Sequence, residues 1–358
     1  MKLTWNGHTH LAILRNLSSL PTSQTRSIAV LQRSFSWLLI ILFALLGGYL
    51  VRDRLGPLDE NIELNLDTYA PEPLVIQNRP RHEPKAPVQS EKLRIASFHI
   101  TAFDTSKAAN TKIMDVLAEV VRNFDVIAVQ GIKSRDQTFM VEFLALVNRD
   151  GSEYEYEVGP RVGRNGNKEQ FAFLFNQSTI EIDRQATYTV ADPHDRILHE
   201  PLVSLFRVRS PRSETAFTFK LVNVHLDPMN TSEELATLSD VYRVVLNDVD
   251  REDDVILLGN FSSDQDRLLA WGNAFGVRPA GQAGSSTTLA AKSTDHLCLH
   301  NKATTEFNGK TGMVDMVRVF NLTSQESKIV SEHFPVWAEF TAWEGGRSSR
   351  FAKRKASR

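Results

Sequence analysis

From residue 93 onward the chain alternates between short, unbroken apolar runs and stretches with helical spacing. Residues 93–100 and 125–132 read as strands buried on both faces, because apolar residues follow one another without polar alternation. Between them Ile113, Val116, Leu117, Val120 and Val121 recur every three or four positions, the spacing of one helix face, so the segment opens as a β–α–β unit. A second helix is expected over 138–148. Strand-rich segments follow at 154–162, 170–176, 202–208 and 217–225, then a helix over 234–248, a strand over 255–261 and shorter strands at 297–299 and 334–340. No internal repeat is visible. The pattern predicts one α/β domain over residues 93–343.

Upstream the texture is different. Between Arg33 and Arg52 lie 18 residues without a charge, centred on an apolar run from Trp37 to Leu46. At ~1.5 Å per helical residue they span about 27 Å, close to the ~30 Å hydrocarbon layer of a bilayer. A buried core helix would show a polar face, and none interrupts the run, so a transmembrane helix is expected over 35–51. Residues 1–34 carry Lys2, Arg15, Arg26 and Arg33 and no acid. This bias predicts a cytoplasmic N-terminal arm and an extracytoplasmic domain. A cleaved secretory signal would want a small-residue site after Leu46, which is missing; an acid-free arm bearing Arg and Ser also resembles an organellar transit peptide, and that alternative stays open. Residues 52–92 hold six of the 14 prolines and read as a semi-extended linker. Residues 344–358 set six basic side chains against Glu344 and read as a basic disordered tail.

The net charge of -2 therefore hides an asymmetry: the arm carries +4, the tail +5, and the body between them -11. An acidic body opposes non-specific attraction to phosphate backbones. With 42% hydrophobic and 23% charged residues the composition is globular, which excludes collagen-like, coiled-coil and wholly disordered chains. A single cysteine, Cys298, excludes an intrachain disulfide, a zinc ribbon and a CxxC redox pair.

The polar groups at the strand ends come in an informative order. Ser97-Phe98-His99-Ile100 closes the first strand and Val129-Gln130-Gly131-Ile132 the second. Lys168-Glu169-Gln170-Phe171 opens a third, and Val222-Asn223-Val224-His225 ends another. Gly259-Asn260-Phe261-Ser262, Thr294-Asp295-His296 and Ser331-Glu332-His333-Phe334-Pro335 follow, with Gly163-Arg164-Asn165 and His199-Glu200-Pro201 between. Taken in register, the series resembles the endonuclease/exonuclease/phosphatase superfamily, and its deoxyribonuclease I-like branch most closely, from Leu93 to about Thr341.

The resemblance implies a four-layer α/β sandwich of two mixed sheets packed face to face, with phosphodiester cleavage in a cleft at the sheet edges. It also implies a magnesium ion held by carboxylate and amide oxygens, and two histidines, each oriented by a carboxylate, that move protons. His225 matches one of these with Glu169 as its partner, and His333 matches the other with Asp295. A carboxylate on one ring nitrogen fixes the tautomer and favours the imidazolium, so each pair is a coherent acid–base unit. The same pairs would stabilise strand ends in a protein without catalysis.

The positions matched to magnesium ligands are altered. His99 stands where the family has asparagine, and Gly131 where it has glutamate. Asn260 and Ser262 replace Asp and Asn of the G-D-F-N motif, and Glu332 replaces Asp of S-D-H. Magnesium needs hard oxygen ligands, usually with one or two carboxylates, so Glu332, Asn260 and His99 make a thin set. Asp264 and Asp266 are expected to cap a helix through 267–271 rather than to substitute as ligands. A zinc alternative would use His99 and His225 with Glu332. His194, with Asp192 and Asp195, reads as a solvated loop cluster, and His8 and His10 lie in the arm. The sequons at Asn176, Asn230 and Asn321 matter only in a glycosylating host.

Three readings follow. One is a membrane-anchored domain whose metal-dependent hydrolysis is lost or strongly reduced, binding phosphate between His225 and His333, with a phosphate-containing ligand, nucleic acid or protein as partner. The second is an active phosphodiesterase or nuclease with a rearranged metal site. The third, a purely structural envelope protein, leaves the two histidine pairs without a role.

Overall fold

The computed structural model describes residues 91–164, 166–281 and 286–346. The predicted arm, transmembrane helix, most of the linker and most of the tail lie outside these residues. Among the described residues no helix is long and apolar enough to cross a membrane.

Two six-stranded mixed sheets form the centre. The first runs β11-β12-β1-β2-β4-β3 and the second β5-β6-β7-β8-β10-β9. The first contains β1 (Lys92–Phe103), β2 (Val126–Ile132), β3 (Tyr154–Val158), β4 (Gln170–Asn176), β11 (Phe307–Met313) and β12 (Val336–Thr341). The second contains β5 (Ile180–Thr189), β6 (Leu202–Val208), β7 (Thr218–His225), β8 (Val255–Asn260), β9 (Val277–Pro279) and β10 (Asp295–His300). Each sheet has one parallel pair at its centre, β1 with β2 and β7 with β8. The remaining neighbours are antiparallel.

Alternation along the central strands explains the layering. Ile95, Val126, Ala128, Phe173 and Phe175 point inward and meet Phe206, Phe219, Leu221, Ile256 and Leu258 of the other sheet. The intervening residues, Ala96, Phe98, Ile127 and Val129, point outward onto α2 (Thr111–Val121) and α3 (Phe139–Val147). On the far side Val222, Val224, Val255 and Leu257 pack under α4 (Thr231–Leu246) and α5 (Gln265–Gly272). Strands covered on both faces need apolar residues at both parities, which is why they read as unbroken runs. The result is the predicted α/β sandwich of two mixed sheets.

Several boundaries differ from the sequence reading. The strand expected over 154–162 ends at Val158, since Gly159 and Pro160 interrupt it and Pro160 has no N–H to donate. Chain pairing resumes only as an isolated bridge, Val162 to Glu169. Glu344 is not part of the tail: residues 344–346 form a short turn in which its carboxylate accepts the Thr218 N–H at 3.2 Å. Three edge strands, β5, β9 and β11, and the helices α1 (Thr105–Ala108), α6 (Met316–Val319) and α7 (Ser324–Val330) had no counterpart in the sequence reading. Helix α7 carries a capping box between Thr323 and Glu326, a legible T-x-x-E signal. Asp264 caps α5 by accepting the Arg267 N–H at 2.9 Å, as expected.

Candidate active-site cleft

Parallel pairing decides where the polar strand ends meet. Because β1 and β2 run together, His99 stands beside Gln130; because β7 and β8 run together, His225 stands beside Asn260. Antiparallel β10 then brings Asp295 opposite Asn260. All these ends open on one edge of the sandwich, where a cleft of about 700 Å³ is lined by His99, His225, Asn260, Lys292, Glu332 and His333, among others.

The two matched pairs are formed. Nδ1 of His225 lies 2.7 Å from Oε1 of Glu169, and Nδ1 of His333 lies 2.7 Å from Oδ2 of Asp295. Both carboxylates are buried, while the two imidazoles are partly exposed to the cleft. Asp295 is held by its own donors, since the hydroxyls of Thr287 and Thr294 each reach Oδ2 at 3.0 Å. Ser331 shapes the strand end that presents His333: its hydroxyl donates to the His99 carbonyl at 2.7 Å and accepts the His333 N–H at 3.1 Å.

His99 sits between the two pairs. Its ring centroid is 4.3 Å from that of His225 and 4.4 Å from that of His333. His199 extends the row, stacking on His225 at 5.0 Å with an interplanar angle of 10°. The sequence reading named the His199 segment only as part of a motif; its side chain is buried, and its Nε2 meets the Asn167 carbonyl at 3.0 Å.

The environments set different protonation states along this row. Burial opposes a charge on His225, but the Glu169 carboxylate and its hydrogen bond outweigh it and raise the imidazole's pKa. Glu169 shows the complementary effect: burial pushes it up, and the attraction and hydrogen bond of His225 bring it below its ordinary value. His99 lies well below the ordinary histidine range, through burial first and then repulsion from His225 and His333. His199 is lowered as well, chiefly by burial.

The altered positions are occupied in specific ways. The Ser262 N–H donates to Oδ1 of Asn260 at 2.8 Å, which fixes the amide orientation, and Nδ2 therefore donates to Nδ1 of His99 at 2.9 Å. Gly131 has φ +85°, and a Cβ there would lie 2.3 Å from the Ile100 carbonyl oxygen. The glycine is thus a backbone requirement at a register shift of β1 and β2, and not merely a shortened glutamate. Glu332 is half exposed in the cleft lining and pairs with Lys328 at 3.2 Å. Beneath the cleft Gln130 donates to Oδ1 of Asn223 at 2.7 Å, a fully buried amide bridge between the two sheets.

No family model matches the chain. Deoxyribonuclease gamma of Homo sapiens is 28% identical over 262 residues, covering 68% of this chain and 84% of that one. Deoxyribonuclease-1 of Canis lupus familiaris is 27% identical over 259 residues, covering 68% and 90%. The domain is homologous to the deoxyribonuclease I-like proteins. A solved endonuclease/exonuclease/phosphatase family protein from Bacteroides thetaiotaomicron superposes with a TM-score of 0.47 at 16% identity, covering 69% of this chain and 97% of that one. The chain sets two histidine–carboxylate pairs at one sheet edge and carries a third and a fourth histidine in the same row.

Proposed function

We propose that this domain binds a phosphate-bearing ligand, with a nucleic-acid backbone as the first candidate, in the histidine-lined cleft, and that magnesium-dependent phosphodiester hydrolysis is lost or strongly reduced. The observation that carries the reading is the wedge of neutral His99 between His225 and His333, bonded to Asn260. The residues at the family's ligand positions do not fit magnesium. Asn260 offers a neutral amide oxygen that already accepts the Ser262 N–H, Gly131 has neither a side chain nor room for one, and Glu332, half exposed in the cleft lining, is paired with Lys328. Oδ1 of Asp295 is buried without a hydrogen-bond partner, but the groups beside it are the imidazoles of His99 and His333, softer donors than the hard oxygens magnesium prefers.

An anion finds donors instead. His225 keeps its proton through Glu169 and turns Nε2 away from that bond. His333 presents a second imidazole edge, and Lys292 lines the same cleft. Charge-assisted hydrogen bonds from such groups contribute roughly 1.5–3 kcal/mol each before desolvation. Homology to deoxyribonucleases supports phosphodiesters as the ligand class. The charge pattern of residues 1–51 supports a single-pass anchor with the domain on the extracytoplasmic side.

A second reading, a working phosphodiesterase, is favoured by the two intact pairs, which hold the tautomers that general acid–base catalysis needs. Turnover and binding measured together separate the two. The expected result is oligonucleotide or phosphate binding that is lost in His225→Ala, with duplex cleavage in magnesium far below that of deoxyribonuclease I. Vigorous magnesium-dependent cleavage abolished by His225→Ala would replace the first reading with the second.

A further inference from the structure

Three imidazoles stand side by side in the cleft, and each has one ring nitrogen already assigned. Nδ1 of His225 is bonded to Glu169 and Nδ1 of His333 to Asp295, both at 2.7 Å, so Nε2 is the free nitrogen of both outer rings. His99 lies between them, its ring centroid 4.3 Å from one and 4.4 Å from the other. Because its Nδ1 accepts from Asn260 at 2.9 Å, its own proton is on Nε2, which makes it a donor and not a base. All three rings and Lys292 line the same cleft.

The row divides the work of a phosphoryl transfer. Beside a buried carboxylate that favours the imidazolium, Nε2 of His225 has a proton to give. In its neutral form His333 donates its Nδ1–H to Asp295 and leaves a lone pair on Nε2. One ring's width separates the two, space for a phosphorus centre whose entering and leaving oxygens each need a nitrogen within about 3 Å. The Nε2–H of His99 and the Lys292 ammonium supply donors for the charge that grows on the other two oxygens. A water nucleophile would have to be captured and activated, the task for which the altered ligand positions do not fit magnesium. A hydroxyl next to the phosphate within the substrate is already in place, at an effective concentration far above that of any solute. RNA carries such a hydroxyl at each 2′ carbon, and DNA has none.

Resting on the phosphate-binding reading above, we propose that His225, His99 and His333 cleave single-stranded RNA without a metal, by attack of the ribose 2′-hydroxyl on the adjacent phosphorus. Nε2 of His333 takes the hydroxyl proton as the bond from the 2′ oxygen to phosphorus forms. Nε2 of His225 gives its proton to the 5′ oxygen as the bond from that oxygen to phosphorus breaks. The products are a 2′,3′-cyclic phosphate and a 5′-hydroxyl, and the two histidines then exchange their protons back with solvent. Single strands are the substrate because the 2′-hydroxyl must swing in line with the leaving oxygen, a near-attack geometry that a stacked A-form duplex opposes.

The test uses the full chain in detergent with excess EDTA, and a single-stranded DNA oligonucleotide carrying one ribonucleotide. Cleavage is expected at the ribonucleotide alone, ending in a cyclic phosphate, while the all-DNA strand binds and stays whole. His225→Ala and His333→Ala, purified alongside and checked for cooperative thermal unfolding, should each lose about 100-fold or more in rate. Sulfur in place of the 5′ oxygen leaves without a proton, so that substrate should restore His225→Ala and not His333→Ala. If alanine at either position unfolds the domain, Glu169→Gln and Asp295→Asn give the same contrast, with sulfur restoring the first only. Oligonucleotide binding that depends on His225 but brings no cleavage would overturn this inference and leave the binding reading standing; no binding at all would remove both. Cleavage equal in wild type and variants, cleavage that requires magnesium, or sulfur rescue of both variants would overturn it as well.

Discussion

Asn260 donates to His99: its Nδ2 lies 2.9 Å from Nδ1 of the imidazole, while the Ser262 N–H holds its oxygen on the other side. An acceptor nitrogen cannot carry a proton, so this bond and the burial of His99 keep the middle imidazole neutral between two that are bonded to carboxylates. Asn260→Asp would exchange a donor for an acceptor and force His99 to protonate or leave the contact. The expected outcome is an upward-shifted His99 titration, read by NMR, with no recovery of magnesium-dependent cleavage from this change alone.

Gly131→Glu will not rebuild the missing ligand. A Cβ 2.3 Å from the Ile100 carbonyl and a left-handed φ of +85° require the backbone to move before any carboxylate can point at the cleft. Gly131→Ala isolates that cost. Left-handed strain and overpacking together amount to about 2–4 kcal/mol, or a fall of roughly 5–15 °C in Tm for a domain of this size. A Tm within about 1 °C of wild type would show that the strand end relaxes freely.

The Glu169–His225 pair predicts a pH window. Glu169 is lowered by its partner, so its contribution is present above the unfolded carboxyl pKa and is lost as pH falls through the lower folded value. His225 is raised, so its contribution is complete below the unfolded imidazole pKa and is lost as pH rises through the higher folded value. Stability from the pair is therefore greatest in the mildly acidic range between them. Glu169→Gln should cost about 1.5–3 kcal/mol there and much less at pH 9, measured by denaturant unfolding at both pH values. An equal loss at both would mean that the histidine's charge contributes nothing.

Phosphate affinity should follow the same proton. Binding weakens as pH rises through the raised His225 value, and Glu169→Gln moves that loss to lower pH. Calorimetric titration with inorganic phosphate from pH 5 to pH 9 checks both statements. Affinity that is flat across that range would remove the anion-binding role from the histidines.

Asn223→Ala should be costly although it lies outside the cleft. It removes one of the two acceptors of the buried Gln130 amide, the one at 2.7 Å, leaving Ser97 Oγ at 3.1 Å, and frees the Ala172 and Val129 carbonyls. Orphaning a buried polar group costs about 1–3 kcal/mol, and the cavity adds to it. Hydrogen exchange should accelerate in β2 and β7 together, because the bridge joins the two sheets.

The order of the central elements and the identity of the two histidine–carboxylate pairs are legible in the sequence alone. Strands covered on both faces must be apolar at both parities, so the central strands of both sheets stand out, and Glu169, His225, Asp295 and His333 follow from the family resemblance that the strand-end motifs carry. Edge strands escaped because one side of them needs no apolar cover: Phe307–Met313 contains two glycines and a lysine, and Ile180–Thr189 is half polar. What only tertiary structure decided is how residues far apart in sequence meet. Whether Gly131 is a lost side chain or a required backbone conformation depends on the Ile100 carbonyl across the strand pair. Whether His99 is a ligand or a neutral wedge depends on which atoms Asn260 has already spent, 161 residues away. Hydrophobic period is written locally along a chain, whereas the hydrogen-bond partners of a buried polar atom are set by the packing of separate strands, and a sequence lists those atoms without saying which are taken.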